Sequence, residues 1–195
     1  MSDGFHLAAH EALPVPTRAT RDAVIRCGER VRGEVGLEHG FQLHELVSAN
    51  DGEVVRTGAL PKEFLSRAFE MPPGGRFRIH VSVLRTGLSN NFVIATQLGH
   101  RALHMHPFEA AHPGKTMVVP RQLGDRGEEL HRCMWEANWF AQGLLLPEAE
   151  LMDIVRDRGL KDAAARFGVT QPVVRARVER IEKDTPVETP SPEQI

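Results

Sequence analysis

The sequence predicts an α+β fold, in which a small β-sheet packs on two long helices and a helical section closes the domain. Three observations predict it. Within residues 76–84, apolar and polar residues alternate, which is the pattern of a strand with one buried face. Residues 92–106 and 126–146 instead carry apolar side chains at helical spacing, and a proline follows each segment. The composition, 41% apolar and 26% charged, is typical of a chain that buries a core.

Upstream of the alternating strand, the chain is predicted to contain an arm and four short elements. Residues 1–17 hold two prolines and no sustained periodicity, which is typical of a flexible N-terminal arm. The elements predicted after it are a helix capped by Thr17 or Thr20 and running to about Gly36, a helix at residues 43–49, a strand at 53–57 and a helix at 61–70.

Downstream of the strand, residues 89–91 can cap the helix at 92–106, and Pro107 is expected to end it because proline lacks a backbone N–H. The elements predicted after it are a short strand at 116–119, the helix at 126–146, a closing helix-turn-helix-like segment at 150–183 with its turn at 168–170, and a disordered tail at 185–195. The folded domain is therefore predicted to span residues 18–184.

Charge, cysteine content and hydropathy exclude several classes of protein. No segment approaches the roughly 18 consecutive apolar residues of a membrane span, and the first residues lack the features of a secretory signal. We therefore expect a soluble, cytoplasmic protein. A formal charge of −2 argues against wholesale electrostatic binding of nucleic acid. Cys27 and Cys133 form no C-x-x-C pair, which disfavours a disulfide scaffold and a thiolate zinc site.

Three sequence blocks point to a known family. Residues 92–104 read FVIATQLGHRALH, residues 137–147 read ANWFAQGLLLP and residues 163–170 read AAARFGVT. These blocks resemble F-x-x-A-H-E-L-G-H-x-x-L-H, E-x-x-A-N-x-F-A-x-x-L-L-x-P and L-A-x-x-F-x-V-S, which are patterns of the ImmA/IrrE-type metallopeptidases. The resemblance covers roughly residues 75–182, and it implies that the two long helices are the zincin-like helices of that family.

The departures from the family pattern fall on the catalytic positions. An H-E-x-x-H helix holds zinc with two histidines and places a glutamate beside the metal-bound water as general base. By the resemblance, Thr96 replaces the first zinc ligand, Gln97 replaces the base and Met134 replaces the third ligand, while His100 is retained. Glutamine cannot ionise, so it cannot take a proton from water. One histidine does not hold zinc, so we expect no cofactor.

The resemblance therefore implies a pseudopeptidase with regulatory function. Members of the family cleave or otherwise relieve transcriptional repressors, often of the helix-turn-helix kind, in phage, mobile-element or stress-response settings. A member without catalytic residues is expected to bind a protein partner, such as a repressor, through the former substrate groove. The groove residues are Thr96, Gln97, His100, Met134 and Asn138.

A first alternative is a zinc peptidase with a rearranged site that cleaves a repressor. Its ligands would be His100, His104 and a carboxylate from Glu109 or Glu136. Against it, Glu136 lies two residues from Met134, so it is expected to point about 200° away from it on the same helix. In the simpler interpretation, His100 and His104 form a polar pair on a solvated or loop-covered helix face, or His100 is packed in a vestigial cleft.

A second alternative is a DNA-binding regulator. Residues 160–181 have the outline of a helix-turn-helix, and residues 151–183 carry eight basic and five acidic side chains. A recognition helix would present Gln171, Arg175 and Arg177 to nucleic acid. The simpler interpretation is a packed helical pair with a solvated basic face.

Overall fold

The computed structural model describes residues 5–58, 67–74, 76–121 and 127–184, and these form the predicted α+β fold. The strands of this part of the chain are β1 (Glu11–Ala12), β2 (Gly52–Thr57), β3 (Arg67–Met71), β4 (Phe77–Ser82) and β5 (Thr116–Pro120). Its helices are α1 (Arg21–Val35), α2 (Leu43–Ala49), α3 (Gly87–Ala111), α4 (Glu128–Leu145), α5 (Glu148–Phe167) and α6 (Gln171–Asp184).

The five strands form one mixed sheet in the order β1-β5-β3-β4-β2. Strand β3 runs antiparallel to both of its neighbours, whereas β2 is parallel to β4 and β1 is parallel to β5. The strand predicted at residues 76–84 is confirmed as β4, and its Phe77, Ile79 and Val81 are buried in the core as expected. The strict alternation is not confirmed, because His80 is buried as well and Val83 is exposed. Helix α3 packs against β4, so the sheet supports the helix that carries His100.

Helices α1 and α4 pack closely because glycines leave room for their backbones. A Cβ added to Gly28 would lie 2.4 Å from the carbonyl oxygen of Phe140. A Cβ added to Gly143 would lie 2.1 Å from the carbonyl oxygen of Ile25. Real Cβ atoms do not approach backbone atoms so closely, so any larger side chain at either position forces the two helices apart.

Gly28→Ala is expected to lower the free energy of unfolding by about 1–3 kcal/mol, since the added methyl group separates α1 from α4. Gly33→Ala is the matched control on the same helix, because a Cβ there meets nothing within 4 Å. That control should raise stability by up to about 1 kcal/mol through helix propensity. Urea unfolding of both variants measures the two changes in unfolding free energy. If both variants lose stability, or both gain it, the close packing at Gly28 is contradicted.

A further glycine brings together the two helices of the predicted site. A Cβ on Gly99, in the middle of α3, would lie 2.8 Å from the carbonyl oxygen of Ala137 on α4. The backbones of α3 and α4 are therefore in direct contact at this point. As a result, side chains on neighbouring turns of α3 and α4 can reach one another.

The closing helical section is joined to this core. Helix α5 bends at Gly159 (φ 83°) and ends at Gly168 (φ 68°), two left-handed positions that favour glycine. The Asn91 side-chain amide on α3 donates to the carbonyl oxygen of Gly168 at 2.7 Å.

Within the ranges described, no helix is both long and apolar enough to cross a membrane.

Several predicted boundaries are confirmed. Helix α1 starts after Thr20, whose hydroxyl accepts a hydrogen bond from the N–H of Ala23, and ends at Gly36 in the left-handed region. Helix α2 and strands β2 and β5 lie where the sequence places them. The helix expected at residues 126–146 is α4, although residue 126 lies outside the described residues.

The ends predicted for α3 are wrong. The helix begins after Thr86, whose hydroxyl accepts from the Ser89 N–H, and it continues past Pro107 to Ala111. Phe108, the residue after the proline, is buried in the core. Burial of this large side chain offsets the hydrogen bond that the proline removes, so the helix continues.

The predictions for the arm and for residues 61–70 also need correction. Residues 59–66 lie outside the described residues, but residues 67–70 belong to strand β3 instead of a helix, because β3 pairs with both β4 and β5. Residues 11–17 are packed against the domain and are not a flexible arm. They include β1, which pairs with β5, and they continue along α4. The tail at 185–195 lies outside the described residues.

Candidate functional site

The side chains assigned to the groove lie on α3 and α4. Thr96, Gln97 and His100 on α3 are buried, and Met134 and Asn138 on α4 are half-buried. The Thr96 hydroxyl oxygen lies 2.9 Å from the carbonyl oxygen one turn earlier in α3 and 3.3 Å from Oδ1 of Asn138. The hydroxyl of Thr96 is therefore engaged in local hydrogen bonding.

Four side chains form a continuous row across the two helices. Met134 Sδ lies 3.2 Å from His100 Nε2. On the other side of that ring, His100 Nδ1 lies 3.1 Å from His104 Nδ1, and His104 Nε2 lies 3.0 Å from Glu136 Oε2. Both histidines and Glu136 are fully buried. The row thus runs from a thioether at one end to a carboxylate at the other.

Glu136 is the centre of a dense hydrogen-bond network. Its Oε1 accepts from Arg132 Nε at 2.9 Å and from the Arg18 backbone N–H at 2.8 Å. Its Oε2 accepts from the Thr17 backbone N–H and hydroxyl, each at 2.9 Å, and also contacts His104. Burial alone would raise the pKa of Glu136, but the hydrogen bonds from His104, Arg132 and Thr17 lower it to about 2.

The ionised Glu136 fixes a proton position in the row. A carboxylate can only accept, so the hydrogen between His104 and Glu136 belongs to His104 Nε2. Burial holds the pKa of His100 well below its ordinary value, and the neighbouring His104 lowers it further. His100 is therefore neutral near pH 7. Neither His100 nor Glu136 is a general base matched to that pH.

These residues do not fit a zinc site. Protein zinc ligands are almost always Cys, His, Asp or Glu, whereas Thr96 and Met134 supply a hydroxyl and a thioether. Among the residues described, no three His, Cys, Asp or Glu side chains are placed to share one metal ion. The buried Gln97 Oε1 has no hydrogen-bond partner, and an amide there cannot activate water.

Comparison with protein families places this geometry in context. Residues 54–179, more than half of the chain, match the family described as Peptidase_M78, the IrrE N-terminal-like domain. The chain belongs to this family. No curated protein matches the chain. The matched residues begin within β2 and end within α6, so they include α3 and α4 but not α1 or the residues before it.

In this Peptidase_M78 chain, the structure corrects the expected direction of Glu136. Its side chain reaches His104 on α3, while Met134 reaches His100 one turn earlier. The two α4 residues contact successive turns of α3 because the helix backbones touch close by, at Gly99 and Ala137. His100 and His104 are accordingly buried, not solvated. Three residues of the rearranged-zinc hypothesis therefore meet, but as a hydrogen-bonded row.

The fourth residue of that hypothesis lies elsewhere. Glu109 is exposed near the C-terminal end of α3, where it lines a separate cavity of about 270 Å³ with Phe108, His112 and Lys115. Its side chain is five residues beyond His104, which places it on another face of the helix. Glu109 does not complete a site with the buried histidines.

The DNA-binding alternative loses one of its three residues. Gln171 and Arg175 are exposed on α6, as that hypothesis requires. Arg177 is buried instead, and its Nη2 lies 3.3 Å from Oε2 of Glu148. Burial lowers the pKa of Arg177, and Glu148 opposes that effect. The expectation that Arg177 faces nucleic acid is therefore wrong.

Sequence reasoning missed the residues that surround Glu136. Thr17 and Arg18 come from the segment expected to be flexible, and the Arg132 side chain also donates to the carbonyl oxygen of Ala19. The signal available in the sequence was the two-residue spacing of Ala12, Pro14 and Pro16, all of which are buried. Such spacing is typical of an extended segment with one face inward.

Proposed function

We propose that this chain is a catalytically inactive, metallopeptidase-like regulatory protein. In this proposal it binds a protein partner, a helix-turn-helix transcriptional repressor, in the cytoplasm and in phage, mobile-element or stress-response regulation. The observation that carries the proposal is the chemistry of three positions. Thr96, Gln97 and Met134 stand where the family pattern has two zinc ligands and the general base.

The position of the nearest carboxylate supports the same proposal. Glu136 is held by five hydrogen bonds, two of them from backbone N–H groups. Moving it toward a metal ion or a water molecule would leave those buried donors unpaired, which is costly. The carboxylate therefore has a structural role in this proposal, and no residue of the row takes over the role of base.

The retained architecture supports a binding role. The helices α3 and α4 are in close backbone contact at Gly99, although Thr96, Gln97 and Met134 replace residues of the family's catalytic pattern. A surface that once oriented a polypeptide substrate can hold a partner without cleaving it, because binding and bond cleavage depend on different groups. The repressor is the partner class that the family resemblance suggests.

The catalytic part of the proposal predicts little bound zinc. The full chain, purified without an affinity tag from zinc-supplemented medium, should contain well below one zinc per chain by elemental analysis. His100→Ala should not change that content, and neither should the control His106→Ala, an exposed histidine on the same helix. Stoichiometric zinc that His100→Ala alone removes would contradict the proposal.

The partner part is tested by coexpression with a helix-turn-helix repressor from the same organism. The two proteins should copurify, the complex should survive a chelator, and the repressor should stay full-length by mass spectrometry. A repressor cut at a defined bond would favour the peptidase alternative. If such a repressor does not bind, the partner assignment is wrong even when the zinc result agrees.

A further inference from the structure

Residues 11–18, named here the N-terminal strap, lie in a groove between the edge of the sheet and α4. Glu11 and Ala12 form β1 and align with Thr116 and Met117 of β5. The Thr116 N–H donates to the carbonyl oxygen of His10 at 2.9 Å. Strand β5 has five residues and β1 only two, so the strap begins as a short added strand on a longer edge.

The strap is bound in the way that an extended peptide is bound. Ala12, Pro14 and Pro16 are buried, whereas Leu13 and Val15 between them are only half-buried. A period of two places the buried side chains on one face of an extended chain. Proline suits such a segment because its φ is already near the extended region and it needs no ladder N–H. In this mode of peptide binding, the side chains at alternate positions give specificity.

Each end of the strap is fixed by a carboxylate. At the start, the buried Glu11 accepts from both terminal nitrogens of Arg67 on β3. At the end, Glu136 on α4 accepts from the backbone N–H groups of Thr17 and Arg18. Between them, Cys133 Sγ donates to the carbonyl oxygen of Pro14 at 3.5 Å. These contacts define the length and direction of the bound segment.

The groove itself belongs to the body of the fold. Its walls are β5 and α4, which lie within residues matched to the family, whereas the strap precedes the match by many residues. Arg18, at the end of the strap, has a φ of 59°, a left-handed conformation that strains residues other than glycine. Release of the strap would relieve that strain and leave the walls in place.

We propose that this groove is a peptide-binding site and that the strap is its intramolecular occupant. The partner supplies an extended segment of the same chemistry: an acidic residue, then small residues or prolines at alternate positions, then a Ser or Thr whose N–H reaches Glu136. Binding of that segment displaces the strap. The inference rests on the proposed function, because it names how the protein partner would be recognised.

The test uses the full chain and a fluorescent synthetic peptide of residues 8–20. Pro14→Asp places a charge at a buried strap position and should release the strap without touching the groove. Pro113→Asp, at an exposed proline, is the matched control. By anisotropy, the Pro14→Asp chain should bind the peptide at least about tenfold more tightly than the wild type or the control, since the competing occupant is gone.

Hydrogen exchange reports release independently of peptide binding. The amides of Thr17 and Arg18 should exchange slowly in the wild type and fast in Pro14→Asp. If Pro14→Asp fails to fold, Thr17→Pro serves instead. This substitution removes the backbone N–H and the hydroxyl of Thr17, which both donate to Glu136, and Thr17 is itself exposed. A peptide that itself carries Pro14→Asp should not bind.

Two results would overturn the inference. One is slow exchange at Arg18 in both variants, which would mean that the strap is not removable. The other is fast exchange without peptide binding, which would mean that the vacated groove does not hold peptides. If the vacated groove does not bind the peptide but a repressor still binds the wild-type chain, the proposed function stands and only this inference fails. If the peptide binds but no repressor does, only the proposed function is contradicted.

Discussion

Glu136→Gln is expected to lower the free energy of unfolding by about 3–5 kcal/mol at pH 7, the range for breaking a buried charged network. The wild-type carboxylate is fully buried and accepts from His104, Arg132, Thr17 and Arg18. An amide provides one acceptor oxygen in place of two. It also turns an NH₂ group toward donors that it cannot accept from.

Glu129→Gln is the matched control for this substitution. Glu129 lies on the same helix and pairs with Arg18, but its side chain is 62% exposed. Exposed ion pairs contribute about 0–1 kcal/mol, so this variant should stay close to the wild type in urea unfolding. Equal losses in the two variants would show that burial of the Glu136 network does not govern stability.

The same network predicts a pH dependence. In the folded chain the pKa of Glu136 is about 2, compared with an ordinary value of 4.5. A lowered folded pKa gives stability that is present above the unfolded pKa and is lost as the pH falls toward the folded value. The loss should reach about 3 kcal/mol between about pH 5 and pH 2.

Glu136→Gln should remove this part of the acid profile, because glutamine does not titrate. The measurement is the difference between the wild-type and variant unfolding free energies across that pH range. Other carboxylates with lowered pKa values, such as Glu11 and Glu70, titrate in both chains and cancel in the difference. A difference that stays constant with pH would contradict the assignment of an ionised Glu136.

Sequence patterns predicted those helices and strands that are set by residues close together in the chain. The strand β4 and the caps of α1 are predicted from one strand and one turn of sequence, and both elements are confirmed, although His80 on the predicted polar face of β4 is buried. The segment at 67–70 differs, because β3 becomes a strand by pairing with β4 and β5 on either side. Its partners lie eight residues away or more in the chain, so a local pattern did not reveal them.

The candidate site was predicted in part for the same reason. Family blocks located Thr96, Gln97, His100 and Met134, and the structure brings Met134 into contact with His100. The helical angle between Met134 and Glu136 predicted that their side chains point in nearly opposite directions. It did not reveal that both side chains reach α3, since that depends on the close crossing of the two helices. The strap on Glu136 depends on contacts across 118 and 119 residues of sequence.

Restoring the three family residues is expected to create a zinc site. The variant combines Thr96→His, Gln97→Glu and Met134→Glu. Position 96 lies one turn before His100 on α3, so the new histidine shares a face with it. Met134 Sδ already lies 3.2 Å from His100 Nε2, so a carboxylate at 134 would begin within reach of an ion held by that nitrogen.

The triple variant should retain stoichiometric zinc through dialysis, as measured by elemental analysis, and should lose it to a chelator. The control is the double variant without Met134→Glu, which lacks one of three protein ligands and should hold zinc far more weakly. Adding His100→Ala to the triple variant should abolish binding. Circular dichroism establishes that each variant is folded before its metal content is compared.

The outcome decides the positional mapping independently of catalysis. The histidine at 96 must fit where a buried Thr96 now bonds within α3, so the helices have to open slightly around the ion. Metal binding supplies free energy for that adjustment, about 10–16 kcal/mol for a structural zinc site near pH 7. A folded triple variant that takes up no zinc would mean that Thr96 and Met134 do not occupy the former ligand positions. The proposed inactivity would then lose its main support.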